Sequence, residues 1–339
     1  MKNRMAVVRT AGLAELVEHD VPMASATQAV IAIRASSICG GDLHIYKGKH
    51  PSAPLPAALG HELAGDVVAI GAEVSSLAVG DRVTVEPVIA CGRCPSCRQG
   101  KYGYCDNLSF HYRQGRGAMA DYFLADERYV YKLPAHLSYE EGALIEPLSV
   151  AVHAVRRAGI GLGDKVAVIG AGPIGLLVTA VCRQAGAAEI LVSDIAEARL
   201  EKAMQMGATM IVDAREGSIV EAARASSGGR GVERSFECVG SEESLEQSMR
   251  SLRKGGVATV VGIFEEPSVR VPATLFVSQE ITVQGSQGYC WDFETALGLT
   301  TAIDLGSLIS HVFDLSEVDR ALKTALDPRM RPIKVVLRP

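Results

Sequence analysis

The sequence predicts an α/β protein in two parts, a doubly wound parallel sheet and a second, β-rich domain. Three observations lead there. Strand and helix patterns alternate from Gly163 to about Val283, which is the sequence form of parallel strands with crossover helices. From Met5 to about Tyr131 the texture is instead short β-branched runs broken by turns. The length of 339 residues exceeds one core of ~100–200 residues, so two domains are expected.

With 48% apolar and 22% charged residues, the composition is that of an average globular protein, which excludes disorder, collagen-like repeats and long coiled coils. A formal charge of -5 provides no basic field for phosphate backbones, so small molecules are the expected partners and nucleic acid is not. The N-terminal MKNRMAVVRTAG lacks the apolar stretch of a secretory signal, so the protein is expected in the cytoplasm. The longest charge-free run, between Lys165 and Arg183, contains glycines and a proline, so it reads as strand, turn and helix and no membrane partner is expected.

In chain order, AVVRTAG, AVIAIRA, GDVVAIG, GDRVTVEPV and YFLADERYVYKLP read as strands, with Gly65-Asp66 and Gly80-Asp81 as the turns before them. After Leu133-Pro134 a helical stretch opens at a predicted N-cap, Ser138, with acidic residues in its first turn and a break or kink at Pro147. KVAVIG, EILVSD, MIVD, VERSFECVG, GVATVVGI and ITVQG then read as parallel strands. The last fifty or so residues end in IKVVL and are too few to fold alone, so they are expected to pack back on the first domain.

Gly170-Ala171-Gly172-Pro173-Ile174-Gly175 follows the strand VAVI and opens an apolar helix, the context a dinucleotide-binding turn requires. Gly170 permits the tight turn, Gly172 lets a pyrophosphate approach the backbone, and Gly175 lets helix and strand pack closely. Asp194 closes the next strand about twenty residues on, where a carboxylate accepts bonds from ribose hydroxyls and repels a 2'-phosphate, which selects NAD. Arg199 could instead meet a phosphate or stack on adenine. The bland alternative is a glycine turn that only packs a helix on a sheet.

Cys91, Cys94, Cys97 and Cys105 follow the spacing C-x2-C-x2-C-x7-C, which suits a closed tetrahedral zinc site with a structural role. Two local disulfides or an iron-sulfur cluster are the competing readings. Outside that loop, Cys39 in SSICGGDLH, His61-Glu62 in ALGHELAG and Glu146 in ALIEPLSV could leave a zinc with an open position. Each alone is equally readable as a core residue.

Taken in order, CGGDLH, GHE, the four-cysteine loop, EEGALIEPLSVAVHA, GAGPIG and the segment from Asp194 to Arg199 resemble the zinc-containing medium-chain dehydrogenase family, most of all its sorbitol (polyol) dehydrogenase branch, over nearly the whole chain. The resemblance implies a GroES-like catalytic zinc domain over 1–150, a Rossmann NAD-binding domain over 151–284, and a segment 285–339 that completes the first. It implies Cys39, His61 and Glu62 as ligands of a catalytic zinc, with Glu146 on the metal or its water and the choice of carboxylate ligand open. Asp42 would hold His61 in the metal-binding tautomer. Ile174, Asp194, Arg199, Val261, Gly262, Ile263, Ser286, Gln287 and Gly288 would line the cofactor beside the glycine turn. Family members are dimers or tetramers, so a homo-oligomer is expected, with a homotetramer the leading choice.

The expected reaction is reversible oxidation of a secondary hydroxyl on a polyol, sugar acid or related alcohol to a ketone. The proton leaves through His44 or a water held by Glu146, and hydride passes to NAD. A butanediol- or threonine-dehydrogenase-like enzyme and a non-catalytic nucleotide-binding protein are the alternatives. Three positions depart from the family pattern. Gly41 stands where relatives carry a Ser or Thr hydroxyl, so water or His44 must replace that relay. Ile45 and Gly288 stand where the branch places a substrate-binding tyrosine and arginine, which leaves Ile45, Glu146 and Tyr289 as expected substrate contacts.

Overall fold

A computed structural model describes residues 2–50 and 52–339. Two compact units emerge, Met1–Glu146 with Phe293–Pro339, and Pro147–Asp292. Among the described residues no helix is long and apolar enough to cross a membrane.

The first unit is organised on strand Gln28–Ser37, which pairs antiparallel with Glu62–Ile70, Tyr122–Asp126 and Lys334–Arg338. Arg82–Val85 and Val130–Lys132 extend the sheet beyond Glu62–Ile70, and Ile309–Asp314 extends it in parallel beyond Lys334–Arg338. Ala29, Ile31 and Ile33 alternate along the central strand and pack with Leu63, Val67, Val83, Val85 and Phe123 in one core. A second core joins Ile38, Ile45 and Leu59 to Leu315, Val318, Leu322, Val335 and Leu337. Burying each such side chain stabilises by ~1.5–3 kcal/mol, so the C-terminal segment is held to this unit by its apolar face.

In the second unit six parallel strands lie in the order Met210–Asp213, Glu189–Asp194, Lys165–Ile169, Val232–Glu237, Leu252–Val260, Thr282–Gly285. The strand order reverses beside Lys165–Ile169, so this is a Rossmann sheet. Its core includes Ala167, Leu191, Val232, Leu245, Met249 and Ala258.

Several sequence expectations need correction. Strand Leu13–Asp20, a hairpin partner of Lys2–Thr10, was not foreseen, because its LAELVEHD sequence buries only Ala14 and presents charged residues elsewhere. Gly65 is not a turn. It lies inside strand Glu62–Ile70 beside a register shift, where a Cβ would come 2.1 Å from the Ala32 carbonyl oxygen. The break in the helical stretch falls at Leu144, between helices Tyr139–Ala143 and Ile145–Ala158. Pro147 then occupies the first turn of the second helix, where a missing N–H is tolerated. The unit boundaries also move: residues 147–150 and 285–292, expected in the first domain, belong to the second unit. The Asp292 carboxylate explains the later boundary, since it accepts from Arg156 at 2.5 Å and meets His153 Nδ1 at 2.8 Å.

Candidate active site

Antiparallel pairing sets the centre. Ser37 lies opposite Glu62, so Cys39, just beyond one strand, and His61, just before the other, meet at the same end of the sheet. Pairing of Ser37 with Val336 brings Lys334 to that end as well. The Cys39 sulfur, a His61 ring nitrogen and a Glu62 carboxylate oxygen all lie within 4.8 Å of one another. Gly60 sits at φ +88, and a Cβ there would approach the Met119 nitrogen to 2.5 Å, so only glycine lets the chain deliver His61.

Cys39 is also the N-cap of helix Gly40–Tyr46. Asp42, 1% exposed, accepts from the Cys39 N–H at 2.9 Å and the Gly60 N–H at 2.8 Å. Its distance to His61 Nδ1 is 3.9 Å, too long for a hydrogen bond. The expectation that Asp42 fixes the His61 tautomer is therefore corrected: Asp42 clamps the two backbones that carry Cys39 and His61. Burial raises its carboxyl pKa, against the lowering effect of His61 and the two N–H groups.

Glu62 is fully buried and accepts from Ser37 Oγ and from Lys334 Nζ, the latter at 2.7 Å to Oε1 and 2.5 Å to Oε2. Lys334 also donates to the Ile38 carbonyl at 3.0 Å. Burial works to lower the Lys334 pKa, but Glu62, Cys39 and Glu146 outweigh it and raise the value. His61 follows the same logic: burial lowers its pKa, while Cys39, hydrogen-bonded to it, with Asp42 and Glu146, drives it well above the ordinary histidine range. Both cations respond to excess negative charge, which a divalent metal among soft and borderline donors would neutralise. Glu146, 5% exposed, stands outside the three-donor set, although it acts electrostatically on His61 and Lys334. His44 is partly buried in helix Gly40–Tyr46.

The four cysteines form a second cluster, their sulfurs all within 4.8 Å of one another, and every cysteine in the chain is free. A tetrahedral zinc with Zn–S of about 2.3 Å needs sulfurs about 3.8 Å apart, so the loop fits that ion and contains neither of the disulfides considered. Backbone N–H groups of Cys91, Cys94, Cys97 and Asn107 point at the sulfurs at 3.3 to 3.5 Å. The N–H groups of Arg93 and Cys94 bring the Cys91 thiol down to about 6, while burial pushes Cys97 up to about 12.

In the second unit the expected cofactor residues gather at the carboxyl edge of the parallel sheet. Gly170 has φ +96, a Cβ at Gly175 would come 1.8 Å from the Gly170 carbonyl oxygen, and Gly172 faces open space. Pro173 and Ile174 then begin helix Pro173–Gln184. Asp194 ends its strand with Oδ2 accepting from Ala171 N–H at 2.7 Å and Oδ1 from Ala196 N–H at 2.9 Å, and Arg199 is partly buried one turn on. Val261 and Gly262 donate to the Glu237 carbonyl ahead of Ile263. Ser286, Gln287 and Gly288 follow the last strand, and the buried Ser286 Oγ has no hydrogen bond among the described residues. This edge fits a dinucleotide: an open glycine, a helix N-terminus, a fixed carboxylate and an orphaned hydroxyl.

Residues 25–135 match the alcohol dehydrogenase GroES-like domain and residues 173–302 the zinc-binding dehydrogenase domain. Sorbitol dehydrogenase from Bacillus subtilis (strain 168) is 33% identical over 325 residues, covering 94% of this chain and 92% of that protein. The chain belongs to the zinc-binding alcohol dehydrogenase family. A zinc-binding dehydrogenase from Sinorhizobium meliloti 1021, bound to NADP, superposes on this dehydrogenase with a TM-score of 0.92 at 31% identity over 100% of both chains. 2R,3R-butanediol dehydrogenase from Bacillus subtilis does so at 0.90 and 31% identity over 99% of each.

Two expected substrate residues are placed differently from the third. Ile45, 2% exposed, packs in the apolar core of the first unit, so it is a packing residue here. Tyr289 is likewise 2% exposed, in the second unit. Sequence reasoning missed Ser37 and Lys334. A lone lysine inside the apolar strand IKVVL was the available signal for Lys334.

Proposed function

We propose that this dehydrogenase reversibly oxidises a secondary hydroxyl of a polyol, sugar acid or related alcohol to a ketone with NAD as the hydride acceptor. The observation that carries this reading is the convergence of Cys39, His61 and Glu62, three donors that leave a tetrahedral metal one open position. In this reading they hold a catalytic zinc and the four cysteines a structural one. Bound zinc supplies an acid that brings a hydroxyl pKa toward neutrality, and nicotinamide supplies a hydride acceptor.

The chain's own residues do the rest. Ser37 and Lys334 orient Glu62, and Asp42 holds Cys39 and the backbone ahead of His61. Glu146 orients a water, and His44 passes the hydroxyl proton outward. The Asp194 carboxylate, held at the strand end by two N–H groups, supports NAD over NADP by repelling a 2'-phosphate. Sorbitol and 2,3-butanediol, named for two relatives, both carry adjacent hydroxyls, which supports a polyol or vicinal diol substrate. Residence in the cytoplasm and assembly as a homo-oligomer, dimer or tetramer, complete the proposal.

Metal analysis and a panel of polyols, diols, aldonic acids and simple secondary alcohols test it, with reduced cofactor followed by absorbance. About two zinc per chain and turnover that prefers NAD are expected. One zinc and no turnover of any alcohol would overturn the reading.

A further inference from the structure

Gly41 leaves a gap beside the three-donor centre. A Cβ built at Gly41 would lie 4.0 Å from the Cys39 sulfur, 4.0 Å from His61 Cε1 and 3.9 Å from His50 Nε2. These are ordinary van der Waals separations, so the point has room for one methyl-sized group, bounded by two of the proposed metal donors and one further imidazole. His50 comes from the segment after helix Gly40–Tyr46, and its ring packs edge-on against Tyr112 with centroids 6.1 Å apart. Tyr112 also contacts the His61 ring, at 5.9 Å.

The His50 tautomer follows from its partners. Nδ1 accepts from the Ser52 N–H at 3.2 Å, so in the neutral ring the proton sits on Nε2. Ser52 is held in turn by Arg113, whose guanidinium donates to its Oγ at 2.7 Å. Burial, with His44, Arg113 and His61 nearby, lowers the His50 pKa. Nε2 has no hydrogen-bond partner among the described residues, and it stands outside the set of mutually close metal donors. It is therefore a fixed N–H donor facing the gap, too far back to be a ligand.

We infer that His50 is a specificity-determining residue whose Nε2–H donates to a substrate oxygen on the carbon next to the one oxidised, so that the enzyme selects vicinal diols and polyols over simple secondary alcohols. The inference rests on the functional reading above and deepens it. A donor built for one hydroxyl discriminates against an analogue that lacks it, because the polar group is then left unmatched. An oxygen on the His50 side of the Gly41 gap, about 1 Å nearer Nε2 than the Cβ point, would come within hydrogen-bond reach.

The test compares 2,3-butanediol with 2-butanol, which differ by that one hydroxyl, in the zinc-loaded wild type, His50→Leu and His50→Gln. In His50→Leu, kcat/KM for the diol should fall about 10- to 100-fold, mainly through KM, with 2-butanol nearly unchanged; His50→Gln, which keeps a donor, should recover part of the preference. A second readout needs no turnover: in 15N-histidine spectra the His50 Nε2–H signal, assigned by its loss in the variants, should shift when 2,3-butanediol is added and stay put with 2-butanol. Equal loss for both alcohols, or an unchanged preference in His50→Leu, would overturn the inference while leaving the dehydrogenase reading intact. A zinc-loaded wild type inactive on every alcohol would instead overturn that reading, and the inference with it.

Discussion

The two donor clusters of the first unit, each suited to a metal ion, are built on opposite plans. The four-cysteine loop draws all its donors from residues 91 to 105, and backbone N–H groups of the loop and of Asn107 just after it point at the sulfurs of Cys91, Cys94 and Cys105. The other centre draws Cys39 and His61-Glu62 from the ends of two paired strands and depends on Lys334 from the far end of the chain. A loop can wrap an ion and close its coordination alone. A site that must keep one position open needs donors fixed on a rigid frame, or they would close on the metal. The charge solutions differ as well. The loop spreads its negative charge over peptide dipoles, whereas the strand-built centre buries a lysine against a glutamate.

That contrast can be broken deliberately. Cys39→Ser should lower turnover on the order of 10³-fold or more while NAD binding and the unfolding midpoint stay close to wild type; steady-state kinetics and cofactor titration read this directly. Wild-type activity in that variant would remove Cys39 from the reacting centre. Lys334→Met leaves Glu62 buried without its cation and should destabilise the first unit by about 3–5 kcal/mol in urea unfolding, with turnover reduced. Adding Glu62→Gln to that variant should recover part of the stability, whereas further loss would count against charge pairing as the cause.

Cys94→Ser should reduce bound zinc from about two per chain to about one, measured by elemental analysis, with turnover largely kept at low temperature. Complete loss of activity in the still-folded variant would show that the loop is coupled to the reacting centre after all.

The smallest effect concerns pH. His111, in the turn just after the cysteine loop, is 5% exposed against Phe123, and its buried Nδ1 has no hydrogen bond among the described residues. Burial, with Arg116 nearby, lowers its pKa to about 4. The unfolded chain therefore binds the proton more readily than the native one. Stability from the neutral ring is complete above the unfolded value of about 6.5 and is lost as pH falls toward about 4, at most about 3 kcal/mol. His111→Phe should flatten that part of an unfolding-versus-pH curve without changing zinc content; an unaltered acid slope would assign the loss to other groups.

Local chemistry was legible wherever one stretch of chain carries the whole message. The spacing from Cys91 to Cys105, the glycine turn after VAVI, Ser138 as an N-cap and Asp194 at a strand end each depend on neighbours a few residues away. Leu13–Asp20 was illegible because an exposed hairpin strand shows no alternation of apolar residues. Gly65 reads as a turn in the sequence because its real constraint, the Ala32 carbonyl 2.1 Å from where a Cβ would lie, belongs to another strand. The role of Asp42 is hidden in the sequence for a related reason, since the Gly60 N–H that it holds comes from a different segment.

Sequence by itself determined that this chain forms a Rossmann sheet and a β-rich unit, holds four thiols in one loop, and carries cysteine, histidine and glutamate suited to an open metal site. Those features follow from periodicity, turn chemistry and donor type, which are local properties. Only tertiary structure decided that Lys334 and Ser37 hold Glu62, that Asp42 bridges two backbones, that Ile45 lies in the core, and that His50 faces the gap at Gly41. Most of these are contacts between segments far apart in the chain, where strand register, not residue type, sets which side chains meet; His50 reaches Gly41 through the path of the chain just after helix Gly40–Tyr46.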